Sequence, residues 1–338
     1  IGGLMIPILA LMSLGGGSFF DGLSILGTDK PEYLRVFTQE NFEGKQVSVP
    51  WPTLLTGMMF IQIFYWSTNQ VIVQRAMAAK SLAEGQKGVL FASAMKLVGP
   101  LMLCLPGIIA LHMPDLEIEK QDQVYGAVVR HVLPDWSLGL FAAVLMGSIL
   151  SSFNSALNSA STLFSLQFYK GYMNENATEI EIVSTGKKFG IILAIASIII
   201  APLLAQLDSI FQYLQKVNGI YSVPIIAIFL LGILTKHIPA LGAKIGMIVG
   251  FVSYAYFVFF PIENLHWLHM YFISFTWSIM VMLLVGYLKP KSQKEIEISD
   301  ERDPAPVDMT PWPKAKEASI VIVAVTILIY VLLSSISA

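Results

Sequence analysis

Apolar stretches near or beyond the roughly 20 residues needed to cross a bilayer recur along the chain. They fall at about 1–18, 52–74, 88–113, 137–168, 187–206, 208–234, 240–261, 264–288 and 318–337. The pattern predicts nine helical crossings, two of them nearly touching at Leu207. A membrane barrel would instead show short segments of alternating polarity, and none is visible.

Three of these segments carry polar residues that an ordinary span would avoid. The stretch "AAVLMGSILSSFNSALNSAST", 142–162, holds six serines, two asparagines and a threonine. At about 100° per residue, Ser148, Ser151, Ser152, Ser155, Ser159 and Thr162 share one face, with Asn154 and Asn158 at its border. Small residues let helices pack closely, which accounts for any one serine but not for two asparagines. The alternative is a hard cation such as sodium, which takes several oxygen ligands that hydroxyls and loosened carbonyls supply. In "GMMFIQIFYWSTNQVIVQRAMAAKS", 57–81, the apolar pattern stops at Ser67, Thr68, Asn69 and Gln70 and then resumes. That predicts a helix unwound in mid-membrane, tolerated where it lines a cavity. Lys96, four residues before Pro100, is a cation within a span, costing about 3 kcal/mol to insert unless it faces a cavity or partner. Snorkelling to the interface is its other reading.

Composition confirms the class. Hydrophobic residues are 55% of the 338, charged residues 13%, and mean hydropathy is +0.67, against about 25% charged in soluble domains. This is an integral membrane protein embedded in a lipid bilayer. Lys and Arg divide fourteen to five if the loop after Gln74 faces the cytoplasm, and such an excess marks the inner side. On that orientation 19–51 is an outer loop and 289–317 a cytoplasmic one. The "NAT" at 176–178 then faces inward and carries no meaning as a glycosylation site. A net charge of -2 and the lack of basic runs with interleaved aromatics argue against nucleic acid. The lone Cys104 rules out a disulfide within the chain and reads as packing. His112, His131, His237, His266 and His269 lie near span boundaries, and only the last two are close in sequence. Such histidines are more often hydrogen-bonded than catalytic, so no enzyme and no cofactor are expected. Residues 1–338 form a single transmembrane domain, and the opening at Ile1, directly in an apolar helix, reads as a fragment lacking N-terminal helices.

The stretches "FYWSTNQVIVQRAMAAKSLAEGQKG", "SSFNSALNSASTLFSLQFY" and "FQYLQKVNGIYSVPIIAIFLLGIL" resemble the solute:sodium symporter family, the group of the sodium/glucose and sodium/galactose cotransporters. The resemblance implies an all-α, LeuT-like fold of two inverted five-helix repeats. The first apolar segment would close the first repeat, the next five would form the whole second repeat, and the last three would be additions. It also implies roles. Gln62, Tyr65, Lys96 and Gln215 match solute-binding positions, Tyr65 stacking on a sugar and Gln62 standing where the sodium/galactose carriers have asparagine. Ser151 and Ser152 match sodium-binding hydroxyls, and Ser148 stands where an alanine offers its carbonyl. Asn154 and Ser155 lie where some relatives place a second sodium, and Gln167 replaces an aspartate.

The function implied is sodium-coupled symport of a small polar solute, a monosaccharide or polyol, by alternating access in a bacterial inner membrane, with Na+ as the coupling ion. Lys96 suits a carboxylate equally, so a monocarboxylate or sialic-acid-like anion is the competing solute. A non-transporting sensor on the same fold is the other alternative. The oligomeric state is not legible.

Overall fold

The computed structural model describes residues 2–34, 41–42, 45–46, 49–116, 118–207, 209–263, 265–291 and 307–336. Arg35, Lys294 and Arg302, counted in the charge bias, lie outside the described residues. In chain order the helices are α1 (Gly2–Leu14), α2 (Phe19–Thr28), α3 (Met59–Ser67), α4 (Gln70–Met77), α5 (Leu82–Lys96), α6 (Gly99–Leu103), α7 (Leu105–Ala110) and α8 (Val124–Val132). The longer helices come next: α9 (Asp135–Leu163), α10 (Glu179–Leu204), α11 (Ile210–Leu234), α12 (Ala240–Phe259), α13 (Met270–Leu288) and α14 (Ala315–Ile336). Two segments widen into π-helix, Leu54–Met58 and Phe164–Met173. The only ladder among the described residues is antiparallel, Asn41–Phe42 with Lys45–Gln46.

Among the described residues six helices are long and apolar enough to cross a membrane: 135–173, 179–204, 210–234, 240–259, 267–288 and 315–332. They coincide with six of the nine predicted segments. Two others are bent pairs, α1 with α2 at 80° and α5 with α6–α7 at 41°. The first bend occurs at Gly16 and Gly17, whose φ values of 62° and 108° lie where side chains are disfavoured. Hence the stretch expected as an irregular outer loop opens with a helix, capped by Ser18, whose hydroxyl accepts the Asp21 N–H. The second break falls at Leu97–Val98, just ahead of Pro100, which lacks an N–H and crowds the preceding turn. The ninth segment, 52–74, is the broken stretch made of the first π turn, α3 and α4.

The chain divides into two compact units, and the boundary falls inside α5. The first holds residues 1–34, 89–210 and 316–338. Its core is Ile6, Ala10, Leu11, Ile109, Val128 and Val129 with their neighbours, drawn from α1, α7 and α8. Here α9 and α10 pack through small residues: a Cβ on Gly190 would sit 2.9 Å from the Ser161 hydroxyl, and one on Gly186 3.3 Å from that of Ser165. Thr178 caps α10, its N–H donating to the Glu181 carboxylate at 2.8 Å, so the threonine of the "NAT" triplet serves the helix start.

The second unit holds residues 35–88 and 211–315. Its core joins Ile61, Val223, Tyr254, Leu268, Met270 and Tyr271, with Phe60, Phe64 and Ile226 alongside. α12 presents Gly242, Gly246 and Gly250 to α13, where added Cβ atoms would strike Met282 at 2.3 Å and the Ser278 hydroxyl at 2.1 Å. The Ser274 hydroxyl donates to the Gly250 carbonyl at 2.7 Å. Small residues every fourth position thus bring two membrane helices together without a hydrophobic driving force. Of the expected cytoplasmic loop, 292–306 lies outside the described residues. The segment from 307 to 312 docks on the start of α5: Leu82 N–H donates to Asp308 O at 2.9 Å, and Trp312 N–H to the Gln86 side chain at 2.7 Å.

Candidate functional site

The sequence-predicted residues fall in both units. Gln62, Tyr65 and Gln215 belong to the second; Lys96, Ser148, Ser151, Ser152, Asn154 and Ser155 to the first.

The break predicted at "STNQ" is present. α3 ends at Ser67; Thr68 and Asn69 leave the helix, Asn69 taking an extended ψ of 120°. The polar side chains account for this locally. Ser67 and Thr68 hydroxyls donate back to the Ile63 and Phe64 carbonyls at 2.5 and 3.0 Å, closing α3. The Asn69 side chain accepts the Val71 N–H at 3.0 Å, opening α4 as an N-cap. Gln62 is exposed and Tyr65 half-buried on α3, the Tyr65 ring meeting Trp66 edge-on at 5.6 Å. Phe64, between them, packs on Tyr221 of α11 at 5.7 Å.

Gln215 lies on the first part of α11. Its side-chain amide donates to the Met58 sulfur at 3.7 Å, and its backbone carbonyl accepts the Tyr271 hydroxyl at 2.5 Å. Met58, Tyr254 and Tyr271 carried no polarity signal that separates them from packing residues, and sequence reasoning missed them.

Lys96 is the exposed last residue of α5. An ammonium there meets the negative end of the helix dipole, and the break after it leaves the side chain outside a continuous span.

On α9 the helix runs unbroken from Asp135 to Leu163, so the serine face predicted from periodicity exists. Loosened carbonyls are not found at Ser148–Ser155; the widening to π-helix begins only at Phe164. Ser148, Ser151, Ser152 and Asn154 are exposed, whereas Ser159 and Ser165 are buried, at 3% and 5% exposure. Ser155 donates to the Ser151 carbonyl, and Ser159 to the Ser155 carbonyl, each at 2.9 Å. A groove of about 460 Å³ between α9 and α10 is lined by Asn154, Asn158, Ser161, Thr162, Ser165 and Lys187, among others. A cation held by Asn154 and Ser155 would be repelled from the end of that groove that carries Lys187.

Three of the five histidines make contacts within the fold. His266 is 1% exposed and accepts the Leu268 N–H at 3.3 Å; His269 bonds Thr56 at 2.6 Å. The His112 side chain is 1% exposed, 3.8 Å from Asp29, and its Nδ1 lies 3.2 Å from the Ile108 carbonyl.

Comparison with known proteins gives a consistent picture. The description "Sodium:solute symporter family" matches residues 1–250. The chain is 40% identical over 98% of its length to "Uncharacterized symporter YidK" of Escherichia coli K12, covering 56% of that protein. It is 30% identical over 78% of its length to the "Sodium/glucose cotransporter" of Vibrio parahaemolyticus, covering 51%. The sheep "Sodium/glucose cotransporter 1" is 31% identical over 72% of the chain, with 42% covered. The chain therefore spans about half the length of the curated relatives it matches. Among solved structures, a Na+-coupled sialic acid symporter in a substrate-bound outward-open state superposes with a TM-score of 0.69 over 86% of this chain and 60% of that one, at 20% identity. That likeness concerns the fold, which is all-helical and LeuT-like.

Proposed function

This chain belongs to the sodium:solute symporter family, and from that premise we propose that it forms part of a sodium-driven symporter for a small polar solute, a monosaccharide or polyol, working by alternating access in a bacterial inner membrane. The family is one of transporters and not of enzymes. The observation that carries the reading is the set of Ser148, Ser151 and Ser152 hydroxyls at helical spacing on an unbroken α9, in a stretch exposed on every side.

Sodium is the cargo that drives the cycle. Neutral hydroxyl oxygens bind it without a buried carboxylate, so the site carries net charge only when loaded. An inward potential then contributes about 2.3 kcal/mol per charge per 100 mV, and bound sodium raises the population of the state that takes solute. Gln62 and Gln215 offer amides to hydroxyl groups, and Tyr65 a flat ring for the face of a sugar. Neutral donors and acceptors suit a neutral polyol, because groups placed to pair hydroxyls penalise solutes that leave them unmatched once the site closes.

Lys96 favours a second reading. An exposed ammonium at the end of α5 would pair equally well with a carboxylate, which makes a monocarboxylate or sialic-acid-like anion the competing solute. The deciding experiment is uptake of labelled monosaccharides and a carboxylate control by the full-length parent in proteoliposomes, with and without a sodium gradient. Sodium-driven sugar uptake is expected. Carboxylate uptake alone would move the assignment to the second reading, and solute binding without uptake of either would point to a sensor.

A further inference from the structure

The turn of α11 that carries Gln215 is fastened on two sides, and both fasteners come from residues with no assigned role. On the backbone side, the Tyr271 hydroxyl donates to the Gln215 carbonyl at 2.5 Å. Tyr271 reaches that carbonyl by lying across Gly219, one turn further on: a Cβ there would fall 2.1 Å from the Tyr271 ring and 2.7 Å from that of Tyr254. Both tyrosines are buried, at 0% and 1% exposure, with ring centroids 5.1 Å apart. Trp267 meets Tyr271 edge-on at 5.9 Å, and the Lys216 ammonium lies 5.8 Å from the Trp267 ring. Glycine at 219 is what admits the tyrosine, and no larger residue fits without moving it.

On the side-chain side, the Gln215 amide donates to the Met58 sulfur at 3.7 Å. A thioether is a weak acceptor. The amide is therefore aimed but not committed, and a solute hydroxyl, a better acceptor, displaces the sulfur at small cost.

We propose that Tyr271 and Met58 are positioning residues for Gln215, and that α12 and α13 thereby set the affinity for solute. Tyr254, on α12, supports the Tyr271 ring, and Tyr271 is the second residue of α13. The inference rests on Gln215 being a solute-binding residue. It adds that the last helices of this unit act on the solute site instead of serving only as scaffold.

The test is a kinetic comparison in proteoliposomes of the full-length parent, with labelled glucose and galactose as probes, of wild type, Tyr271→Phe, Met58→Leu, Gln215→Ala and the Tyr271→Phe/Gln215→Ala double variant. Tyr271→Phe keeps the ring in place and removes the hydroxyl that bonds the Gln215 carbonyl and the Tyr254 hydroxyl, so it is expected to raise the solute KM about five- to tenfold. The maximal rate and the half-saturating sodium concentration should stay within about twofold. Met58→Leu conserves volume and should raise KM roughly twofold, a second variant that does not depend on the tyrosine. The double variant should be no worse than Gln215→Ala alone, because a positioning residue has nothing to add once its target is gone. An unchanged KM in Tyr271→Phe, or additive losses in the double variant, overturns the proposal. A wild-type KM in Gln215→Ala, or no uptake of either sugar by the parent, instead removes the assignment on which it rests.

Discussion

Towards the end of α9 Ser159 is buried and Ser161 lies against Gly190 of α10, with Ser165 buried in the π turn that follows; in the middle of α9, Ser148, Ser151, Ser152 and Asn154 are exposed, as are Leu145, Ile149 and Phe153. The two stretches have nearly the same composition and share one helical period. They differ in what faces them. Gly186 and Gly190 bring the α10 backbone close enough that hydroxyls there act as small packing groups, Ser159 and Ser165 donating to the Ser155 and Thr162 carbonyls. Where no such glycine pair stands opposite, the same hydroxyls are exposed. A serine stripe in sequence thus covers two environments, close packing and open surface, and a neighbouring helix decides between them; ligation is the role proposed for the open part.

Three changes probe that contrast, and a fourth probes the 307–312 segment. The largest effect is expected from the double variant Ser151→Ala/Ser152→Ala in the full-length parent. Sodium-driven uptake should fall by at least about a hundredfold if two ligands of the coupling ion are lost, while the yield of folded protein in detergent is unchanged. Next is Gly190→Leu, which forces atoms into the Ser161 hydroxyl. It should cost about 1–3 kcal/mol of stability, read as an earlier unfolding transition, while leaving half-saturating sodium unaltered in the protein that folds. Ser161→Ala should do much less, under about 1 kcal/mol, with transport kept, because alanine preserves the close approach. The smallest effect concerns pH. Two hydrogen bonds from Thr310 hold the Asp308 carboxylate below its ordinary pKa. A lowered folded pKa stabilises above the unfolded value and is lost as pH falls through the folded one. Acidification through the carboxylate range should therefore loosen the 307–312 segment from α5, detected as faster amide exchange at Leu82, and Asp308→Asn should show little of this pH dependence.

Much of the fold was legible because membrane spans are written in local composition. Five predicted segments match spans to within about five residues and the sixth, 187–206, matches a helix that starts eight residues earlier at Glu179; the "STNQ" break follows from side chains that satisfy their own backbone. The illegible part depends on partners far along the chain. The helix α2 comes after a bend that two glycines at positive φ permit, a matter of backbone state and not of hydropathy. The docking of Trp312 on Gln86 joins residues more than two hundred positions apart, so a polar run read as a cytoplasmic loop ends in an ordered contact. The division into two units was likewise hidden, because both units draw on several separated stretches of the chain. For the sites, Ser148, Ser151 and Ser152 were visible as polarity against a lipid-like background. Met58 and Tyr271 were not, since a thioether and a tyrosine in an apolar helix give no signal until Gln215 is found beside them.

Whether the middle of α9 ligates sodium is decided by equilibrium binding of radioactive sodium to the purified full-length parent, wild type against Ser151→Ala/Ser152→Ala, with Ser161→Ala as the packing control. Saturable sodium binding is expected in wild type and in Ser161→Ala, with its loss in the double variant. Equal sodium binding in all three would contradict a ligating role and leave the whole stripe as packing.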